Sequence, residues 1–158
     1  FLNHFPDAKI LYMVRDPLSV IPSGLSLVTG VLDKKFGFWS LEENKRNHFI
    51  KNLYEALVEL LKRFHHDWVN DKIDKNKVMI VHFDRMMKDF DGLMTDIIKF
   101  VDFESSEELL SDIKKTAESQ RSFKSKHSYD LDKFGLTEKK IKKDCKFIYD
   151  SFLSDDEK

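Results

Sequence analysis

An arginine and a serine eight residues apart are the first residues in this chain whose types and spacing could do chemistry. In AKILYMVRDPLSVIPSG, residues 8–24, Arg15 closes an apolar run and Ser23 follows Pro17 and Pro22. The planar fork of an arginine can donate to two oxygens of one phosphate. A serine hydroxyl near the amino end of a helix adds a donor where the helix dipole already favours an anion. Together these groups suit a phosphomonoester. An ion pair of Arg15 with Asp16 or Asp84 would instead serve structure, and these residues by themselves leave both readings open.

The elements that must position the pair can be read from pattern. Residues 9–14, KILYMV, are almost continuously apolar, as in a strand covered on both faces of a parallel sheet. Arg15 then stands at the carboxyl end of that strand, the edge at which open α/β sheets bind ligands. Asp16 could cap a helix with Pro17 at its first position, but Pro22 would then interrupt the helix interior. A start near Ser19 places Pro22 in the first turn, where its missing N–H is harmless, and ends the helix around Gly30. Ser40 and Glu43 have capping-box spacing and would open a long amphipathic helix running to about Asn70.

Residues 77–83, KVMIVHF, form the second predicted strand. Residues 89–103 read as a helix, Ser105 or Ser106 caps another to about Gln120, and Thr137 caps the last, to about Phe152. Residues 121–135 have no clean periodicity and read as an ordered loop. Two strands among helices predict one helix-rich α/β domain over residues 1–158, with a partial three-layer parallel sheet flanked by helices.

Composition narrows the partners. The 158 residues carry 27 Lys and Arg against 28 Asp and Glu, so no global field draws the chain to nucleic acid or an anionic membrane. No apolar run approaches the roughly 18 residues of a membrane span. The single cysteine, Cys145, cannot form an intrachain disulfide, which favours a reducing compartment and a cytoplasmic setting. A Golgi lumen is the alternative if a membrane anchor lies upstream. The chain opens on Phe1 only a few residues before a core strand, and is read as a partial domain. A sheet edge left exposed by missing strands would invite an oligomer.

The segment FPDAKILYMVRDPLSVIPSG resembles the 3′-phosphate-binding segment of sulfotransferases that use 3′-phosphoadenylyl sulfate (PAPS). That segment joins a strand, an Arg-Asp-Pro turn and a serine eight residues after the arginine. The resemblance implies that Arg15 and Ser23 grip the nucleotide's 3′-phosphate within a P-loop-NTPase-like sulfotransferase fold. Residues 77–103 are similar to the family's strand with an aromatic–acidic pair and its following helix. Phe83 replaces a tyrosine that commonly touches the nucleotide, and Asp84 matches the acidic residue beside it. Arg85 reverses the charge the family often carries next. Phe83 can pack on a base or ribose but cannot donate a hydrogen bond, and it could equally be core.

SFKSKHSYDLDKFGLTEKKI, residues 122–141, resembles the closing loop of bacterial-type members. It implies that Lys124, Ser125 and Lys126 add donors to the 3′-phosphate, with His127 and Tyr129 close by. Residues 121–145 hold eight Lys and Arg against four Asp and Glu, a count that a solvated basic face would also give. Leu131, Phe134 and Leu136 are expected to anchor this segment in the core.

The implied reaction is transfer of a sulfuryl group from PAPS to a hydroxyl or amine of a small-molecule or glycan acceptor, with no metal. No G-x-x-x-x-G-K-[ST] loop is present, and the five glycines stand singly. By the resemblance, that loop and most of the interval bearing the catalytic base belong upstream of Phe1. His4 alone of the six histidines falls there, and the catalytic residue stays unassigned. A non-catalytic nucleotide-binding module and a P-loop nucleotide-kinase-like phosphotransferase are the other readings.

His65 and His66 lack partners at metal-ligand spacing. Cys145 among lysines could have a lowered pKa, or be a half-buried helix residue. Trp39 could line an acceptor pocket or staple the core.

Overall fold

The computed structural model describes residues 4–122 and 130–154. It is a helix-rich α/β structure with two parallel strands, and the chain divides into two compact units.

The first unit comprises the residues up to Arg15 and those from Asp71 onward through the helix that ends at Ser122. Strand β1 (Ile10–Val14) pairs in parallel with β2 (Val78–His82), Ile10 opposite Val78 and Val14 opposite His82. Val14, Val78 and Val81 are buried, whereas Leu11 and Met13 are exposed. The continuous apolar run therefore covers only one face of β1, where the sequence predicts cover on both. Lys9 at the base of β1 donates to the carbonyl of Phe100 at 2.6 Å.

Helix α3 (Phe83–Lys88) starts where β2 stops and is absent from the sequence prediction, which carries the strand through Phe83. Asp89, at φ −137° and ψ 55°, breaks it from α4 (Phe90–Val101). Arg85 ties the two together, its Nε 3.1 Å from Asp89 and its Nη2 2.6 Å from Asp96. Helix α5 (Glu107–Ser122) begins as expected, with Ser106 Oγ accepting the Leu109 amide at 3.2 Å. Leu93 of α4 and Ile113 and Ala117 of α5 are buried, and Arg121 reaches Asp91 at 2.9 Å.

The second unit comprises Asp16–Asn70 and residues 130–154. Helix α1 (Pro17–Phe36) starts two residues before the expected Ser19 and runs past Gly30. The Asp16 carboxylate accepts the Leu18 amide at 2.8 Å, so Pro17 takes the first helical position and Pro22 lies inside the helix. Gly30 is merely an exposed helical position. The stop falls at Gly37, whose φ of +64° is the left-handed geometry that ends helices without a Cβ penalty.

Helix α2 (Glu43–Val69) follows without the expected capping box. Ser40 belongs to a short 3₁₀ turn, and its hydroxyl donates back to Gly37 O at 2.6 Å. Gly24 lets α1 approach α2 closely, because a Cβ there would come within 3.1 Å of Leu57 Cδ1. Thr137 caps α6 (Glu138–Asp144), and helical structure continues through α7 (Lys146–Ile148) and a π turn at Tyr149–Leu153. Ile21, Leu25, Ile141 and Cys145 are fully buried in this unit's core. Complete burial of an aliphatic side chain is worth roughly 1.5–3 kcal/mol.

Candidate functional site

The register of the strand pair sets the first part of the site. Val14 faces His82, so Arg15 and Phe83 are the next residues at two neighbouring carboxyl ends. The Arg15 guanidinium carbon lies 4.1 Å from the centroid of the Phe83 ring, a cation–π distance. Arg15 is half-buried, and no ion pair or hydrogen bond among the described residues engages it. The structural-bridge alternative is therefore not realised. Asp84 is exposed, and the charge of Arg85 is already committed to Asp89 and Asp96. With no carboxylate among the described residues on it, the guanidinium retains N–H donors that an anion such as a phosphate could use.

The helix that carries Ser23 corrects an expectation. Ser23 is the seventh residue of α1 rather than a first-turn residue, and a helix dipole acts mainly over its terminal turn. The first-turn amides are also occupied. Leu18 donates to Asp16 Oδ1, while Ser19 and Val20 donate to the Asp16 carbonyl at 2.8 and 3.0 Å. An anion held by those amides is excluded by the cap itself. Ser23 remains half-buried, with a hydroxyl that makes no hydrogen bond among the described residues.

Of the other residues singled out in the sequence, Lys124, Ser125, Lys126, His127 and Tyr129 lie outside the described residues. His4 is an exposed turn residue. Trp39 belongs to the helical core: it packs edge-on against Phe38 at 5.0 Å and lies 6.3 Å from Phe134, with Lys133 over its ring. Phe134 and Leu136 are buried anchors, as expected. Among the described residues no group of three or more His, Cys, Asp or Glu could hold a metal ion. His65 instead meets Ser151 Oγ at 3.0 Å and packs on Phe147. Cys145 is fully buried, and burial first, then Asp144, pushes its thiol up to about 11. This environment raises the thiol's pKa, opposite to the lowering that the neighbouring lysines suggested.

Two polar networks in the helical unit escape sequence reading. Tyr54 donates to Asp144 Oδ2 at 2.8 Å, and Lys140 donates to the same oxygen at 2.8 Å. Burial, then this hydrogen bond, holds the Tyr54 phenol far above its ordinary range, while the Lys140 and Tyr54 bonds lower Asp144. Tyr149 donates to Asp16 Oδ1 at 2.6 Å. Their partners lie 90 and 133 residues apart in the chain, beyond the reach of any local pattern. A groove of about 380 Å³ opens above Ile50, Tyr54, Phe134 and Leu136, again assembled from distant segments.

A parallel strand pair among helices, with an arginine at its carboxyl end that no acid among the described residues engages, defines a helix-rich α/β protein. A model of the sulfotransferase family matches residues 1–108, and the chain belongs to that family. Membership supports a transferase of sulfuryl groups. No curated protein and no solved structure matches the chain. No helix among the described residues is long and apolar enough to cross a membrane.

Proposed function

We propose that this chain carries the 3′-phosphate-binding part of a PAPS-dependent sulfotransferase, and that β1 and β2 are two strands of a three-layer, P-loop-like sheet. The donor is PAPS, and the acceptor is a hydroxyl or amine of a small molecule or glycan. Arg15 clasps the 3′-phosphate, and Phe83 holds the guanidinium by its cation–π contact and can pack on the nucleotide. The part of Ser23 rests on its spacing from Arg15 in the sequence. Lys124, Ser125, Lys126, His127 and Tyr129 are proposed to contact the nucleotide through the resemblance alone.

The observation that supports this reading best is the Arg15–Phe83 cation–π contact without an acidic partner for the arginine among the described residues. A cation held in place by an aromatic face, at the sheet end where α/β proteins bind ligands, is prepared for an anion from outside.

Calorimetric titration with adenosine 3′,5′-bisphosphate and with AMP tests it. The bisphosphate is expected to bind at least about tenfold more tightly, and Arg15→Ala to remove most of that difference, as one charge-assisted hydrogen bond is worth roughly 1.5–3 kcal/mol. Equal affinities for the two nucleotides overturn the reading. Binding of ATP that requires magnesium points to the phosphotransferase alternative.

A further inference from the structure

The Arg-Asp-Pro turn receives a hydrogen bond from a residue more than a hundred positions further along the chain. Asp16 Oδ1 accepts two donors, the Leu18 amide at 2.8 Å and the Tyr149 hydroxyl at 2.6 Å. The first starts α1. The second comes from the π turn after α7, beyond the residues that the family model matches. The ring of Tyr149 packs against the helical core, so its hydroxyl reaches Asp16 from a fixed base. Asp16 is itself exposed. Without Tyr149 its carboxylate could turn to water and the cap would loosen.

We propose that Tyr149 is a positioning residue for nucleotide binding: it holds Asp16, and through it both the peptide that follows Arg15 and the first turn of the helix that carries Ser23. This rests on the proposed role of Arg15 and Ser23. Asp16 is bonded to Arg15 on one side and to Pro17, the first residue of α1, on the other. Two donors on one carboxylate oxygen restrict its orientation and with it the cap of α1, and Arg15 is one peptide bond away from that cap. A ligand that finds its donors ordered does not lose affinity in arranging them.

Tyr149→Phe removes only the hydroxyl and keeps the ring in the core. In this variant the preference for adenosine 3′,5′-bisphosphate over AMP is expected to fall by about threefold, less than in Arg15→Ala because the phosphate ligand itself stays, with AMP affinity changed less than about twofold. A purely structural role would weaken both nucleotides alike. Asp16→Asn keeps an acceptor oxygen and should retain most of the preference. Asp16→Ala should lose it, and adding Tyr149→Phe to Asp16→Ala should cost nothing further. An unchanged preference in Tyr149→Phe, equal weakening of both nucleotides, or additive losses in the double variant overturns the positioning role while leaving Arg15 as the phosphate ligand. A wild-type chain that shows no preference overturns the reading of Arg15, and the positioning role with it. In that event faster exchange of the Leu18 amide in ligand-free Tyr149→Phe still shows whether the hydroxyl holds the cap.

Discussion

Asp144 and Arg15 are both charged groups set beside an aromatic ring, and the fold treats them in opposite ways. Asp144, in the helical unit, receives Tyr54 and Lys140 on one oxygen. Arg15, at the end of the strand pair, rests on Phe83 and engages no acid among the described residues. In the helical unit polar groups close on one another around a core of Ile21, Leu25, Ile141 and Cys145. In the sheet unit Arg85 is closed in the same way by Asp89 and Asp96, which makes the open state of Arg15 more telling. A satisfied network holds structure, whereas a cation placed and left unanswered is available to a ligand.

The largest expected effect tests the closed side of this contrast. Ile141→Ala should destabilise by about 2–5 kcal/mol in urea unfolding, because a fully buried side chain leaves a cavity that its neighbours fill only in part. A loss below 1 kcal/mol (roughly the cost of an exposed change) would show that this core is loosely packed.

Next comes Tyr54→Phe, expected to cost about 1 kcal/mol, since one partly buried hydrogen bond goes but Lys140 still holds Asp144. The same network gives a pH dependence with a definite sign. The folded-state pKa of Tyr54 is raised, so its stabilisation is complete below the unfolded value near about pH 10 and is lost as pH climbs toward the folded one. Asp144 is lowered, so its contribution is present above the ordinary carboxylate range and disappears as pH falls through the folded value. Tyr149 is raised as well. A spectrophotometric alkaline titration should therefore show Tyr54 and Tyr149 ionising late, close to alkaline unfolding. Ionisation of all four tyrosines near their ordinary value would break the comparison.

Smaller still is Arg85→Ala, expected to cost about 0–1 kcal/mol because both its ion pairs are exposed. It should leave the preference for a 3′-phosphate intact. The smallest effect sharpens the contrast most. Arg15→Ala should change unfolding stability by no more than about 0.5 kcal/mol while removing the nucleotide preference. A larger loss of stability would return Arg15 to a structural role. Cys145 offers a chemical check on the closed unit: with its thiol buried and pushed up to about 11, native protein should react with an aromatic disulfide reagent only at the rate of unfolding.

Much of this was legible in the chain. The strand positions, the Ser106 and Thr137 caps, and the anchoring of Phe134 and Leu136 follow from local pattern. So does the position of Arg15 at a strand's carboxyl end. The errors share a cause. Pro22 argued for a late start to α1, because a proline inside a helix removes a backbone bond. That argument was outweighed by a cap, Asp16, which a tyrosine 133 residues away supports. Ser40 had capping-box spacing but was drawn into the turn that follows Gly37. Phe83 looked like the last residue of a strand and instead opens α3.

The sequence by itself determined which residue types were available, the hydrophobic periods and the Arg-Asp-Pro turn with its serine, since these depend only on neighbours along the chain. The tertiary structure decided which charges are neutralised and which stay open. Arg15 and Arg85 are the same residue type, each close to an aspartate in the chain. Only the strand register, which sets one on Phe83, and the α3–α4 break, which brings Asp89 and Asp96 to the other, tell them apart. The physical reason is range: helix and strand propensities act over a few residues, whereas the partner of a charge is set by what packing brings within a few ångströms of it, however distant in sequence.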